Sequence, residues 1–142
     1  MARSSTLYMV FGGVAALTLG VAMIIVDSTV LNVAIPSIIR DLHIDITTAQ
    51  WANTIYSLVF AALLITFGGL ADRVGRRRMF IIGAALFGTG SLIASLAPSV
   101  GWLILGEAII EGLGAALMSP STLAILSTTF RGRERATAFA IW

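Results

Sequence analysis

The sequence predicts an all-α membrane protein with four transmembrane helices and the start of a fifth. Three observations carry that expectation. The 142 residues are 58% hydrophobic and 11% charged, against about 25% charged in an ordinary soluble domain, and the mean hydropathy is +0.97. The apolar residues gather into stretches that reach the length a helix needs to cross a bilayer, about 20 residues. The cationic residues, all arginine, gather in the gaps between those stretches.

The first span runs from about Leu7 to Ile35. Within it, Val10–Ile35 contains a single ionisable side chain, Asp27. A carboxylate at bilayer depth costs roughly 2.5–3.5 kcal/mol on insertion scales. Protonation removes that cost, so a retained group of this kind is a natural proton carrier. Gly12, Ala16 and Gly20 recur four apart, a spacing that lets helix backbones approach closely. The run is too long for a cleaved signal peptide.

The second span runs from about Ala49 to Ala71 and the third from about Met79 to Ala97. Between them lies a tight turn, Gly68-Gly69-Leu70-Ala71-Asp72-Arg73-Val74-Gly75-Arg76-Arg77-Arg78-Met79-Phe80. Gly75 permits the chain reversal. Asp72 falls at the C-terminal end of a helix, where the dipole disfavours a carboxylate, so it needs a partner: the adjacent arginines or the N-terminus of another helix. Ala84 and Gly88 repeat the small-residue spacing in the third span.

The fourth span runs from about Gly101 to Ser127. Glu107 and Glu111 are four apart and share a helix face. At about 1.5 Å per residue they lie about 9 Å and about 15 Å in from Gly101. Asp27 lies at a depth similar to Glu107, so three carboxylates are expected around one cavity. Carboxylates that close cannot all stay ionised, which suits proton uptake and release and attracts cations. The bland alternative has the glutamates bonded to polar groups on neighbouring helices. Ser119-Pro120 is expected to bend the span. The fifth span begins at about Ala136.

Eight of the nine arginines fall on one side of this arrangement: Arg3, Arg73, Arg76, Arg77, Arg78, Arg131, Arg133 and Arg135. Arg40 alone lies on the other. Positive residues favour the inside, which places the N-terminus in the cytoplasm of a multi-pass protein. Trp51 and Trp102 stand at the outer ends of their spans, as interfacial aromatics do. The sequence pI of about 9.9 therefore reflects topology, and no nucleic-acid partner is expected. His43, beside Asp41 and Asp45, is expected in a solvated external loop. The chain has no cysteine and one histidine, so neither thiol chemistry nor a cysteine or histidine metal site is expected. No nucleophile–base pair or nucleotide loop suggests an enzyme.

The loop Gly68–Phe80 resembles the signature that the major facilitator superfamily carries between its second and third helices. Val26–Pro36 resembles the first-helix signature of that family's drug:proton antiporter branch with fourteen helices, and Gln50-Trp51 with Tyr56 is similar to the start of that branch's second helix. The resemblance spans the whole chain but only about the first third of a family member. It implies the N-terminal part of a major facilitator helical bundle. It implies that Asp27, within the motif Asp27, Thr29, Asn32 and Pro36, is a proton-coupling or cation-binding carboxylate. It implies that Gly68, Asp72, Arg73, Gly75 and Arg76 form a conformational latch favouring an outward-facing state. The fourth span departs from the family pattern of arginine, two variable residues, glutamine and glycine. Aligned on Gly112, Ala108 takes the arginine position and Glu111 the glutamine position, with Glu107 beside the gap.

The resemblance implies a proton-coupled multidrug efflux antiporter of the bacterial inner membrane, of the kind that confers antibiotic resistance. Its substrates are expected to be amphipathic and cationic, its driving force the proton gradient, and no cofactor is expected. Its partners are the lipid bilayer and the missing C-terminal helices of the same transporter. Two alternatives stay open: another transporter of the same fold (a metabolite exporter or a proton symporter), and a truncated chain without transport activity, since the sequence stops inside its fifth span.

Overall fold

The computed structural model describes residues 2–141, with side-chain surroundings for residues 12–133 and 135–140. Among them the chain forms five helices and no strand: α1 (Ala2–Leu42), α2 (Ile46–Val74), α3 (Arg76–Ser95), α4 (Val100–Thr129) and α5 (Gly132–Ile141). The first four are long and apolar enough to cross a membrane, and short loops make successive helices antiparallel.

Each turn has a local cause. The first span was expected to end near Ile35, but α1 continues through Pro36 to Leu42. A proline inside a helix removes one backbone donor without necessarily ending the helix. The stop comes instead at His43, whose φ of 52° lies in the left-handed region. The Ile44 N–H then donates to the Ile39 carbonyl at 3.2 Å, closing the helix end as a Schellman motif does. Asp45 caps α2: its carboxylate accepts from the Thr48 N–H at 3.3 Å and from the Thr48 hydroxyl. These bonds, the hydroxyl's foremost, hold the Asp45 carboxyl below the usual aspartate range. Gly75 alone joins α2 to α3, with φ of 108°, and bonds both ways: its N–H donates to Ala71 and its carbonyl accepts from Met79, each at 3.1 Å. Only glycine adopts that φ at little cost.

Helix α4 is the centre of the bundle. In its most apolar 18-residue window 56% of residues are buried, against 17%, 6% and 22% in α1, α2 and α3. Met118, Ala115 and Phe87 form one core with Ile24, Tyr56, Phe60 and Phe80 around them. Leu117 joins Ala71 and Met79 in a second, and Leu126 and Phe130 join Leu17 and Ala138 in a third. The outward faces stay apolar, as lipid-facing surfaces are: Ile65 is 85% exposed and Val33 76%. Trp51 and Trp102 are also exposed, near the bundle end that carries Asp41 and Asp45.

Within α4, Ile104–Glu111 is wound as a π-helix. This stretch precedes Ser119-Pro120, which lies within the ordinary α-helical part of α4. Ser121 and Thr122 there donate to the Leu117 and Met118 carbonyls, one turn back. The π turns have a packing purpose. Gly90 and Gly83 are seven apart on α3, so they lie within about 20° of one face. Their counterparts on α4, Gly106 and Gly114, are eight apart, which in a continuous α-helix leaves them about 80° apart. A ladder of i→i+5 bonds turns only about 82° per residue. Five such steps and three ordinary ones bring Gly114 to within roughly 10° of Gly106. Both glycines can then meet α3 at once: a β-carbon on Gly106 would lie 2.8 Å from the Gly90 carbonyl oxygen, and one on Gly114 would lie 2.7 Å from that of Gly83.

The small-residue repeats read from the sequence behave unevenly. Gly20 is packed against Phe80 and Met118, but a β-carbon on Gly12 or Gly88 would meet nothing within 4 Å. Close approach uses Gly83, Gly90, Gly106 and Gly114 instead.

Candidate functional site

The bundle brings three membrane carboxyls together. One carboxylate oxygen from each of Asp27, Glu107 and Glu111 lies within 4.8 Å of the others. Asp27 comes from α1, which touches the bundle along Leu17, Gly20, Ile24 and Leu31. Stepping by three or four residues from those positions turns Asp27 inward with them. Glu107 and Glu111 come from the π segment. Four steps of about 82° leave them about 30° apart, so both still project to one side.

The three differ in burial. Asp27 is half-buried, Glu107 is buried, and Glu111 is fully enclosed. Neither Glu111 oxygen makes a well-aligned hydrogen bond among the described residues, although the Asp27 carboxyl and the Ser91 hydroxyl lie within bonding reach of it. Glu111 thus has polar neighbours on two other helices, Asp27 of α1 and Ser91 of α3.

Two groups around the cluster were not read as site residues from the sequence. Tyr56 of α2 lies within electrostatic reach of all three carboxyls. Its ring stacks on Phe60 at 6.3 Å between centroids, and its hydroxyl is buried and unpartnered. Ser91 of α3 places its hydroxyl beside Glu111. The available signal was a polar atom in the middle of each apolar span. Ala108 is completely buried between the glutamates in sequence.

The rest of the first-helix motif does not join the cluster. Thr29 and Ser28 donate to the Ile25 carbonyl, each at 2.9 Å, and Asn32 donates to Ser28 at 2.8 Å. These residues and Pro36 are exposed, and the bonds satisfy their polar groups within α1 itself.

At the opposite end, Asp72 finds the adjacent arginine. Arg76 Nη2 and Nε donate to one Asp72 oxygen at 2.7 and 3.0 Å, and Nη1 donates to the Ala124 carbonyl at 3.1 Å. A carboxylate at the end of α2 and a cation at the start of α3 each oppose the local helix dipole, and pairing offsets both. Gly75 supplies the reversal that brings them into register, and Arg76 ties the turn to α4. Arg73 points elsewhere and lines a hollow with Thr66, Gly69 and Leu70. Gly68 lies against Pro120, 3.8 Å from where its β-carbon would be.

Residues 17–142 match the family model described as Major Facilitator Superfamily. The chain is 44% identical over 129 residues to the multidrug efflux pump LfrA of Mycolicibacterium smegmatis, covering 90% of this chain and 25% of that protein. It is 41% identical over 121 residues to a puromycin resistance protein of Streptomyces alboniger, covering 84% of this chain and 24% of that one. It is 39% identical over 127 residues to the tetracenomycin C resistance and export protein of Streptomyces glaucescens, covering 89% and 23%. The chain thus spans about a quarter of the length of the curated relatives it matches.

Proposed function

The chain belongs to the major facilitator superfamily, and on that premise we propose that it is the opening part of a proton-driven drug efflux transporter of the bacterial inner membrane. Resistance and efflux proteins at about 40% identity support the drug-export reading. Further helices of a full-length family member complete the path, which works by alternating access between two bundles around a midplane site. The N-terminus and the arginine-rich turns face the cytoplasm, following the positive-inside rule. Substrates are amphipathic and cationic, matching a cluster of acids walled by apolar helices. No step of enzyme chemistry is involved.

One observation carries the coupling mechanism: a carboxylate oxygen of half-buried Asp27 lies within 4.8 Å of one from each of Glu107 and Glu111. A proton arriving from outside neutralises Asp27, which weakens the hold of the cluster on a cationic solute and releases it outward. Deprotonation then restores the negative charge that draws in the next one. The Asp72–Arg76 pair, with Gly68, Arg73 and Gly75, fixes the cytoplasmic turn between α2 and α3 and serves as the latch on the outward-facing state.

The test is dye extrusion driven by an imposed pH gradient, with the full-length gene product in liposomes. Asp27→Asn is expected to abolish proton-driven extrusion while insertion persists. Extrusion at the unmodified rate removes Asp27 from the mechanism.

A further inference from the structure

We propose that Ser91 and Tyr56 are positioning residues of the carboxyl site: their hydroxyls donate hydrogen bonds to its ionised form and so set the pH at which it gives up its proton. The inference rests on the reading of Asp27, Glu107 and Glu111 as the coupling site and names what regulates it.

Ser91 is placed by the backbone contact between α3 and α4. A β-carbon on Gly90 would lie 2.7 Å from Glu111 Cγ, so the Glu111 side chain meets α3 right beside Ser91. Thr89 and Ser95 on the same helix spend their hydroxyls locally, donating to the Ala85 and Leu92 carbonyls at 2.7 and 3.0 Å. The Ser91 hydroxyl makes no such bond among the described residues and lies within bonding reach of the Glu111 carboxyl instead.

Tyr56 is an independent case on α2. A β-carbon on Gly112 would lie 3.2 Å from Val59 Cγ1 and 3.5 Å from the Tyr56 carbonyl oxygen. That contact seats this turn of α2 against the residue following Glu111. The ring is held by its stack on Phe60 and by the core of Phe87, Ala115 and Met118. Its hydroxyl is buried without a partner among the described residues, within electrostatic reach of all three carboxyls. Burying an unpaired hydroxyl is costly, and phenylalanine would fill the same core without that cost. Ionised carboxylates supply the missing acceptor, because their terminal torsions are broad and each takes several hydrogen bonds.

The effect has a definite sign. Serine and tyrosine are neutral donors at ordinary pH, and a donor to a carboxylate favours the charged form. The groups that face the site are Asp27 of α1, the Tyr56 hydroxyl of α2, the Ser91 hydroxyl of α3, and Glu107 and Glu111 of α4. Arg78, the α3 arginine nearest to Ser91 in sequence, lies about 20 Å away along the helix. Among the facing groups, the two hydroxyls are the donors that remain when all three carboxyls are ionised.

The experiment follows the infrared carbonyl band of protonated carboxyls as pH is varied, with the chain in nonionic detergent. The band belonging to the site is the part lost in Asp27→Asn or Glu111→Gln, so one marker serves if the other variant misfolds. Ser91→Ala and Tyr56→Phe are each expected to move its midpoint upward by about half to one pH unit, with helix content by circular dichroism unchanged. A purely structural role would alter melting and leave the midpoint in place. An unmoved or lowered midpoint in either variant overturns the inference for that hydroxyl. Dye extrusion by the full-length gene product in liposomes keeps the two readings separate. Extrusion lost in Asp27→Asn with unmoved midpoints overturns only the positioning role. Raised midpoints with extrusion unaffected by Asp27→Asn overturn only the coupling role.

Discussion

Gly106 of α4 and Gly90 of α3 are packed backbone to backbone. A β-carbon on Gly90 would sit 2.6 Å from the Gly106 carbonyl oxygen and 2.7 Å from Glu111 Cγ. The contact therefore holds the helix pair and the deepest carboxyl of the cluster in one arrangement.

Alanine at either glycine must push the backbones apart. Gly90→Ala and Gly106→Ala are each expected to destabilise the bundle by about 1–3 kcal/mol, the usual cost of overpacking. Gly12→Ala and Gly88→Ala meet open space and should stay within about 1 kcal/mol of the parent, on the stabilising side. Thermal unfolding in detergent distinguishes the two pairs. Equal effects would show that the four glycines do not differ as their surroundings indicate.

Arg76 joins α3 to both Asp72 and the Ala124 carbonyl. Asp72→Ala removes one of these ties and Arg76→Ala removes both. The arginine change should cost more, by about 1 kcal/mol, the net value of the hydrogen bond to the carbonyl. Urea unfolding of the two variants in the same detergent measures the difference. Arg76→Lys, a point charge without the planar fork, should fall between the parent and Arg76→Ala.

The Asp45 cap makes stability depend on pH with a definite sign. The folded carboxyl is held below its ordinary value of 3.8 by Thr48. Its contribution is therefore present above that value and fades as pH falls through the lower folded one. Asp45→Ala should melt earlier than the parent at neutral pH, with the gap closing in strong acid. A gap that widens on acidification would contradict the cap.

His43 occupies a left-handed position that costs a residue with a β-carbon roughly 1 kcal/mol. His43→Gly is expected to raise the melting temperature, because the Ile44–Ile39 bond that closes α1 stays intact. A lower melting temperature would mean that the imidazole contributes more than its backbone strain removes.

Much of the architecture was legible in the residues. Long apolar runs with arginines gathered between them can be little else than membrane helices, and Asp72 at a helix end announced its need for a partner, which the structure supplies from the adjacent arginines as Arg76. Asp27, Glu107 and Glu111 could be grouped by depth alone, since rise per residue is fixed in an ordinary helix. Other features escaped for physical reasons. A span that is apolar all round shows no periodic stripe, so nothing in Ile104–Glu111 distinguishes i→i+4 from i→i+5 bonding. A four-residue spacing of small side chains permits close approach but does not say which helix arrives, and thus Gly12 and Gly88 stand open while Gly90 and Gly106 do not. The first span was expected to end near Ile35 because the apolar run stops there, whereas the helix itself ends at His43, whose left-handed backbone sets the stop. Tyr56 and Ser91 carry polar atoms whose importance depends on neighbours far away in sequence.

The wide-wound stretch of α4 makes shortening the chain there a different kind of change from replacing a side chain. Loss of one residue between Gly106 and Gly114 would let the stretch revert to tight winding, and seven ordinary steps would still return the second glycine to within about 20° of the first. The two helices could then remain seated while the acidic groups were re-aimed. Substitution tests packing at that stretch, and excision tests aim.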